Sequence, residues 1–310
     1  MKEKFTHYLE KQFSKPEIAE QYKILPNDIF HRFEHLDPLE EDNHQPVKGL
    51  VHKYENRALI KVSYRCAAHC RFCTRIRQIG TNEGDLNSET DVPNIIDYIK
   101  EHTEITDVIL SGGDPFYTPK QTLEILNELS IIRSVKVMRI GTRLPVHNPI
   151  SFKSALVQQV LEKIKEIAEH KPFYILIHFE HPDEVTEETV QVIKQLRKAG
   201  VTLLSQTVFL KGINNSYNIL KELFEKLYWH GITPYYIYRC DYVQGLEHFV
   251  CEMQEEIEIM TELRKNISGI AYPTYIVDVE GKGKIPVPLN FWATPDISGC
   301  TDFENKQIKI

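Results

Sequence analysis

The chain has 310 residues, 42% of them hydrophobic and 26% charged, and a formal net charge of −7 from 37 Lys and Arg against 44 Asp and Glu. That length suits one large α/β domain or two small ones with ample core, and the acidic balance argues against a general nucleic-acid binder. No run approaches the roughly 18 apolar residues of a membrane span, and MKEKFTHYLEKQFSK lacks the apolar stretch of a signal peptide, so the cytosol is the expected location.

Residues 1–50 are polar and mixed, with helix-like stretches near 3–12 and 16–22 and the acidic, proline-punctuated DPLEEDNHQP. They read as an extension that packs on the main body. From Arg57 onward, apolar β-branched runs alternate with amphipathic helix patterns, which predicts parallel strands joined by helical crossovers. Strands are expected over 58–64, 107–113, 135–142, 173–180, 202–210, 234–240 and 271–279. Helices are expected near 88–101, 119–131, 151–169, 186–199, 216–230 and 251–265. The predicted fold is α/β, a partial (β/α)6 barrel over 51–245 with a helical extension over 1–50 and a C-terminal segment over 246–310. In such architectures ligands gather at the C-terminal strand ends. Here those ends read as the cysteine loop, SGGDP, GTR, HFEHP, SQT, RCD and VDVEGKGK.

Three of the six cysteines, Cys66, Cys70 and Cys73, fall within CAAHCRFC with C-x3-C-x2-C spacing. In a reducing compartment clustered cysteines bind metal or act in catalysis rather than pairing as disulfides. A structural zinc asks for a fourth Cys or His, and His69 adjoins Cys70, where simultaneous coordination is awkward. Three thiolates suit a [4Fe–4S] cluster that keeps one iron open for a cofactor. Cys240, Cys251 and Cys300 are scattered and read as buried or incidental thiols. GKGKIPVP (281–288) is either a solvated loop or the seat of a lysine that forms a Schiff base with pyridoxal 5'-phosphate (PLP). The second reading needs a phosphate clamp. HKYENR offers Lys53 and Arg57, with Tyr54 placed to pack on the pyridine ring.

The loop CAAHCRFCTR after the first strand resembles the signature of radical S-adenosylmethionine (SAM) enzymes, and SGGDP resembles their glycine-rich segment. From about Gly49 to Asn290, the ordered set HKYENRALI, CAAHCRFCTR, LSGGDP, RIGTRLPV, HFEHPDEVTEE, QTVFLKGIN, PYYIYRCD and GKGKIPVPLN resembles the lysine 2,3-aminomutase family of PLP-dependent radical SAM enzymes. The resemblance implies that Cys66, Cys70 and Cys73 hold the cluster and that Phe72 lies near the SAM adenine. It implies Gly112, Gly113 and Asp114 at the SAM methionyl end, with His178 and Gln206 nearby. Lys284 would carry PLP with Arg57 at its phosphate. Lys53 stands where the best-known members have arginine, which keeps the charge and loses the bidentate fork. Arg75 would pair with the substrate α-carboxylate.

The same resemblance places Asp241 and Asp278 at the substrate ε-ammonium, although the segment from Asp278 to Lys284 is one residue shorter here. Two carboxylates would repel an acidic side chain, so L-lysine leads. Arginine, ornithine and glutamate stay open, as does a non-catalytic cluster scaffold, against which the intact Cys66, Cys70, Cys73 and Lys284 count. A flavodoxin or ferredoxin is the implied electron donor. The chain stops at Ile310 without the cysteine-rich tail that binds zinc between subunits in some members, and Ser216 replaces the matching cysteine. An interchain zinc is therefore not expected, and homo-oligomer formation is left open. DPLEED…GLVHKYENRAL resembles the short members that make β-lysine for elongation factor P, whereas YIYRCD is more like the free-lysine enzymes.

Overall fold

The computed structural model describes residues 3–24, 36–81, 85–279 and 281–289. One nine-stranded sheet runs through them in sequence order. Its strands are β1 (Leu50–Tyr54), β2 (Arg57–Ser63), β3 (Asp107–Gly112), β4 (Val137–Thr142), β5 (Phe173–His178), β6 (Thr202–Val208), β7 (Thr233–Tyr238), β8 (Thr274–Val279) and β9 (Gly283–Pro286). Strands β2 to β8 are parallel, and antiparallel hairpins close both ends, β1 on β2 and β9 on β8. The architecture is a curled half-barrel of the α/β class, as the alternating pattern predicts.

Among the described residues six helices follow the strands in the expected places. The crossovers are α3 (Asp91–Glu101), α4 (Pro119–Ser130), α6 (Ala155–Ala168), α7 (Glu187–Lys198), α8 (Tyr217–Trp229) and α9 (Met253–Asn266), with a single turn, α5 (Leu144–His147), after β4. The N-terminal stretches are shorter than expected, at α1 (His7–Glu10) and α2 (Pro16–Ala19). The two hairpin strands at the sheet's ends escaped the sequence reading. β1 has only five residues, three of them polar or charged, and β9 hides its alternation among glycines and lysines.

Period-two alternation along the strands divides the sheet into two faces. On β3, Val108 and Leu110 are buried against the helices while Ile109 and Ser111 face a cavity. β4 repeats this with Met138 and Ile140 buried and Arg139 and Gly141 facing the cavity. The helix-side face belongs to one continuous apolar core that runs from Leu50 to Val287. A smaller cluster of Leu9, Ile18 and Tyr22 packs the N-terminal segment on Ala68 of the cysteine loop. Backbone bonds from His69 N to Lys4 O and from Arg71 N to Gln21 O, both 2.8 Å, lock the two together. Among the described residues no helix is long and apolar enough to cross a membrane.

Leu110 is fully buried in this core whereas Ile131 is 73% exposed. Leu110→Ala is expected to cost about 2–5 kcal/mol, and Ile131→Ser less than about 0.5 kcal/mol, as read from urea unfolding midpoints.

Candidate active site

Every candidate site residue named from the sequence lines one cavity of about 390 Å3 that runs along the inner face of the sheet to the C-terminal strand ends. Cys66, Cys70 and Cys73 follow β2 on a loop that the SGGDP turn holds in place. Gly112 adopts φ +99°, and a Cβ there would stand 2.7 Å from the Ser63 carbonyl oxygen. The glycine is thus required where the ends of β2 and β3 approach each other. Gly113 N–H donates to Ser63 O at 2.5 Å and Asp114 N–H to Arg65 O at 2.9 Å. The Asp114 carboxylate is used locally: it accepts from Phe116 N, Thr142 Oγ1 and Arg143 N at 2.8–3.0 Å.

The three thiols suit the group expected of them. Burial raises all three pKa values. For Cys66 the carboxylate of Asp114 adds to the effect, and Cys73 reaches about 11 with Cys70 as a further cause. At Cys70 the Arg143 guanidinium opposes burial, and its Nη1 donates to Sγ at 3.0 Å. A guanidinium aimed at a buried sulfur fits an anionic thiolate better than a neutral thiol. Among the described residues no three His, Cys, Asp or Glu side chains converge as ligands of a single ion would. A cluster asks for a different arrangement, because each thiolate holds its own iron corner and the donors ring the group.

Arg75, two residues past Cys73, meets a partner that the sequence did not suggest. Glu41 takes its side-on edge, with Nε 2.9 Å from Oε2 and Nη2 2.5 Å from Oε1. Burial opposes both charges, but each offsets it for the other: the Glu41 pKa is lowered and that of Arg75 raised. The opposite edge keeps Nη1, which reaches Ser111 Oγ at 3.4 Å and lines the cavity. Glu41 sits in DPLEED, where a run of acids looks like a solvated connector. Nothing local marks the one acid that turns inward.

On the far wall, hairpin geometry assembles a second charged group. Asp278 and Lys284 are directly opposed in the β8–β9 ladder, and Lys284 Nζ donates to Asp278 Oδ2. The ammonium also sits 4.9 Å from the Tyr238 ring centroid. Burial works against its charge, and Tyr238 and Asp278 outweigh it, so its pKa is raised. The side chain keeps 38% of its surface accessible. Asp241, just past β7, is pushed up to about 7 by burial and by Asp278, with Lys284 opposing. Gln206 Nε2 donates to Tyr238 OH at 3.0 Å, and His178 stands beside it in the β5–β6 register with Nδ1 3.7 Å from Glu180 Oε1.

Three of the remaining candidates lie at the sheet's first hairpin. The Arg57 guanidinium packs over the Tyr54 ring at 4.1 Å, since the two residues oppose each other across the β1–β2 turn. Lys53 Nζ donates to Leu39 O at 3.1 Å. Phe72 is buried beside Arg143 and Phe249. Cys240 and Cys251 are buried, as expected, while Cys300 lies outside the described residues.

Comparison with known proteins agrees with this geometry. The Radical SAM superfamily profile matches residues 60–223. The chain is 40% identical over 257 residues to L-lysine 2,3-aminomutase of Clostridium subterminale, covering 82% of this chain and 60% of that one. A putative L-lysine 2,3-aminomutase of Aquifex aeolicus is 38% identical over 257 residues, with 82% and 67% covered. The chain belongs to the lysine 2,3-aminomutase family. A glutamate 2,3-aminomutase of Clostridioides difficile is 37% identical over 281 residues, with 89% and 65% covered. Among solved structures, a radical SAM methyltransferase from Sphaerobacter thermophilus shares the fold at TM-score 0.52 and 14% identity, over 74% of this chain and 68% of that one. The chain spans about 60% of the length of several curated relatives in this family. The radical SAM domain supports a [4Fe–4S] cluster and SAM as cofactors.

The Asp241 pKa carries a stability signature. A folded value of about 7 exceeds the ordinary value of 3.8, so between them the folded protein holds a proton that the unfolded chain has released. Stability is then full below about pH 4 and falls as pH rises toward 7. Asp241→Asn is expected to remove this component, gaining a few kcal/mol relative to wild type at about pH 8 and little at about pH 4. Urea unfolding of the cofactor-free protein across that range checks it.

Proposed function

We propose that this chain is a PLP-dependent radical SAM 2,3-aminomutase that interconverts L-lysine and β-lysine in the cytosol. The observation that carries the reading is the charge layout of the cavity that the candidate residues share. A guanidinium is held rigidly at one wall, two carboxylates stand at the other, and a reactive lysine lies beside them. That pattern complements an amino acid with a carboxylate at one end and an ammonium at the other. It disfavours glutamate, whose side chain would meet Asp241 and Asp278 in a low-dielectric site.

The cluster would be held by Cys66, Cys70 and Cys73, with SAM along Phe72, Gly112, Gly113, Asp114, His178 and Gln206. PLP would be held by Lys284 with Arg57 and Lys53 toward its phosphate. The donor set fits: an amine open to the cavity and two cations on the adjoining hairpin. When bound, these groups supply a carbon radical that takes hydrogen from Cβ and a π-system across which the amino nitrogen migrates. A low-potential carrier of the flavodoxin or ferredoxin type supplies the electron.

The chain's own side chains bind and orient. Arg75 offers the substrate carboxylate its Nη1 edge, which faces the cavity beside Ser111, while Glu41 fixes the guanidinium plane. A substrate ammonium entering between Asp241 and Asp278 lowers the Asp241 pKa and restores its charge. Lys284 Nζ must lose a proton before it can bond carbon, and Asp278 Oδ2 is the acceptor already hydrogen-bonded to it.

Anaerobic assay of the reconstituted protein with lysine, glutamate, arginine and ornithine tests the reading. β-Lysine formation is expected, and turnover of another amino acid alone would overturn the lysine assignment. Borohydride reduction with PLP should leave one adduct at Lys284 by mass spectrometry and none in Lys284→Ala. Glu41→Gln frees the guanidinium to rotate and weakens its charge pairing. It is expected to raise the lysine KM about 10- to 100-fold, the cost of a charged hydrogen bond, with a smaller effect on kcat.

A further inference from the structure

The charge buried behind Cys70 has no part in the roles above. Arg143 follows β4 in the GTR stretch and is only 6% exposed. Its backbone N–H donates to Asp114 Oδ2 at 2.8 Å, which fixes where the side chain starts. Nη2 donates to Gln21 Oε1 at 2.5 Å and to Glu184 Oε1 at 2.8 Å. The guanidinium lies 4.9 Å from the Phe72 ring centroid and 5.4 Å from that of Tyr22. Held on these sides, it presents Nη1 to the Cys70 sulfur at 3.0 Å. Glu184 accepts through both oxygens, from Arg143 and from Glu180 N at 2.7 Å, as an ionised carboxylate does.

We propose that Arg143 sets the reduction potential of the cluster by donating a charge-assisted N–H···S hydrogen bond to the Cys70 thiolate, and that Glu184 moderates it. This rests on the reading of Cys66, Cys70 and Cys73 as cluster ligands. One-electron reduction by the external carrier adds a negative charge that the thiolate sulfurs share. A fixed cation and a hydrogen bond beside one sulfur stabilise that more negative form, and burial magnifies the effect. The potential is therefore raised toward what a soluble carrier can reach. Glu184 carries the opposite charge behind the guanidinium and pulls the potential back. Arg143 acts through Cys70 and is a tuning residue, not a catalytic one.

The test is an anaerobic redox titration of the reconstituted protein without SAM, PLP or amino acid, followed by electron paramagnetic resonance. Iron and sulfide are quantified in each variant. Arg143→Gln is expected to shift the midpoint to more negative values, and Glu184→Gln to more positive ones. Arg143→Lys, which keeps the charge and shortens the reach, should fall between wild type and Arg143→Gln. A structural role alone predicts no such opposed pair. Unchanged midpoints, or shifts of one sign in both Gln variants with cluster content retained, would overturn the proposal. If Arg143→Gln fails to fold, Glu184→Gln and Arg143→Lys decide it by the same signs. Full iron and sulfide content in Cys70→Ser would overturn the ligand reading and this proposal with it, whereas unchanged potentials beside an empty Cys70→Ser overturn this proposal alone.

Discussion

One buried carboxylate ties the cysteine loop to the barrel. Asp114 accepts hydrogen bonds from Phe116 N, Thr142 Oγ1 and Arg143 N while its own N–H reaches Arg65 O. It thereby joins the ends of β2, β3 and β4 at the point where the first thiol leaves the sheet. Burial still raises its pKa, with those donors opposing. A carboxylate in that position is stable only while all its partners stay in place. The glycines before it serve the same approach of backbones, so SGGDP is first a structural joint and through that a site element.

From this joint the geometry spreads outward in order. Fixing Arg143 N orients the Arg143 side chain, which then bridges Cys70 to Gln21 and Glu184. Gln21 lies in the N-terminal segment, so that segment becomes part of the wall behind the cysteine loop rather than a detachable arm. The short acidic stretch after it does a similar task at the other side, where Glu41 pins Arg75. Both ends of the sheet then add charge by hairpin pairing, Arg57 with Tyr54 and Asp278 with Lys284. The parallel core supplies a platform, and the antiparallel margins supply much of the ionic chemistry.

The core was legible because its signal is local: runs of β-branched residues at period two, helices with an apolar stripe, and polar strand ends. The cavity contents were legible for the same reason, since strand ends in a parallel sheet must share one rim. The misses have a common cause. β1 and β9 exist through pairing with a neighbour, not through their own composition. Glu41, Arg143 and Glu184 matter only through partners 34, 73 and 41 residues away along the chain. No window of sequence contains such a pair, although GTR at a strand end marked the neighbourhood of Arg143.

Two of the cavity's charged groups are paired within the chain. Glu41 sits on Arg75, and the Lys284 ammonium sits on Asp278, so these two cations of the site each have a counter-charge from the chain. The two pairs differ in kind. Glu41 uses the side-on edge of Arg75 and leaves Nη1 for a ligand, so that pair can persist and orient. The Lys284 ammonium uses Asp278 as a second ammonium would, so the two compete for the same oxygen. Covalent capture of Lys284 would therefore free Asp278 from the ammonium and leave the Asp241 and Asp278 carboxyl groups facing each other across the cavity, relieved only by the protons they hold. Such a pair is costly to bury unless a cation arrives. On the proposed reading, selectivity for a cationic substrate would then arise from the cofactor's bond to Lys284 as much as from the acids themselves.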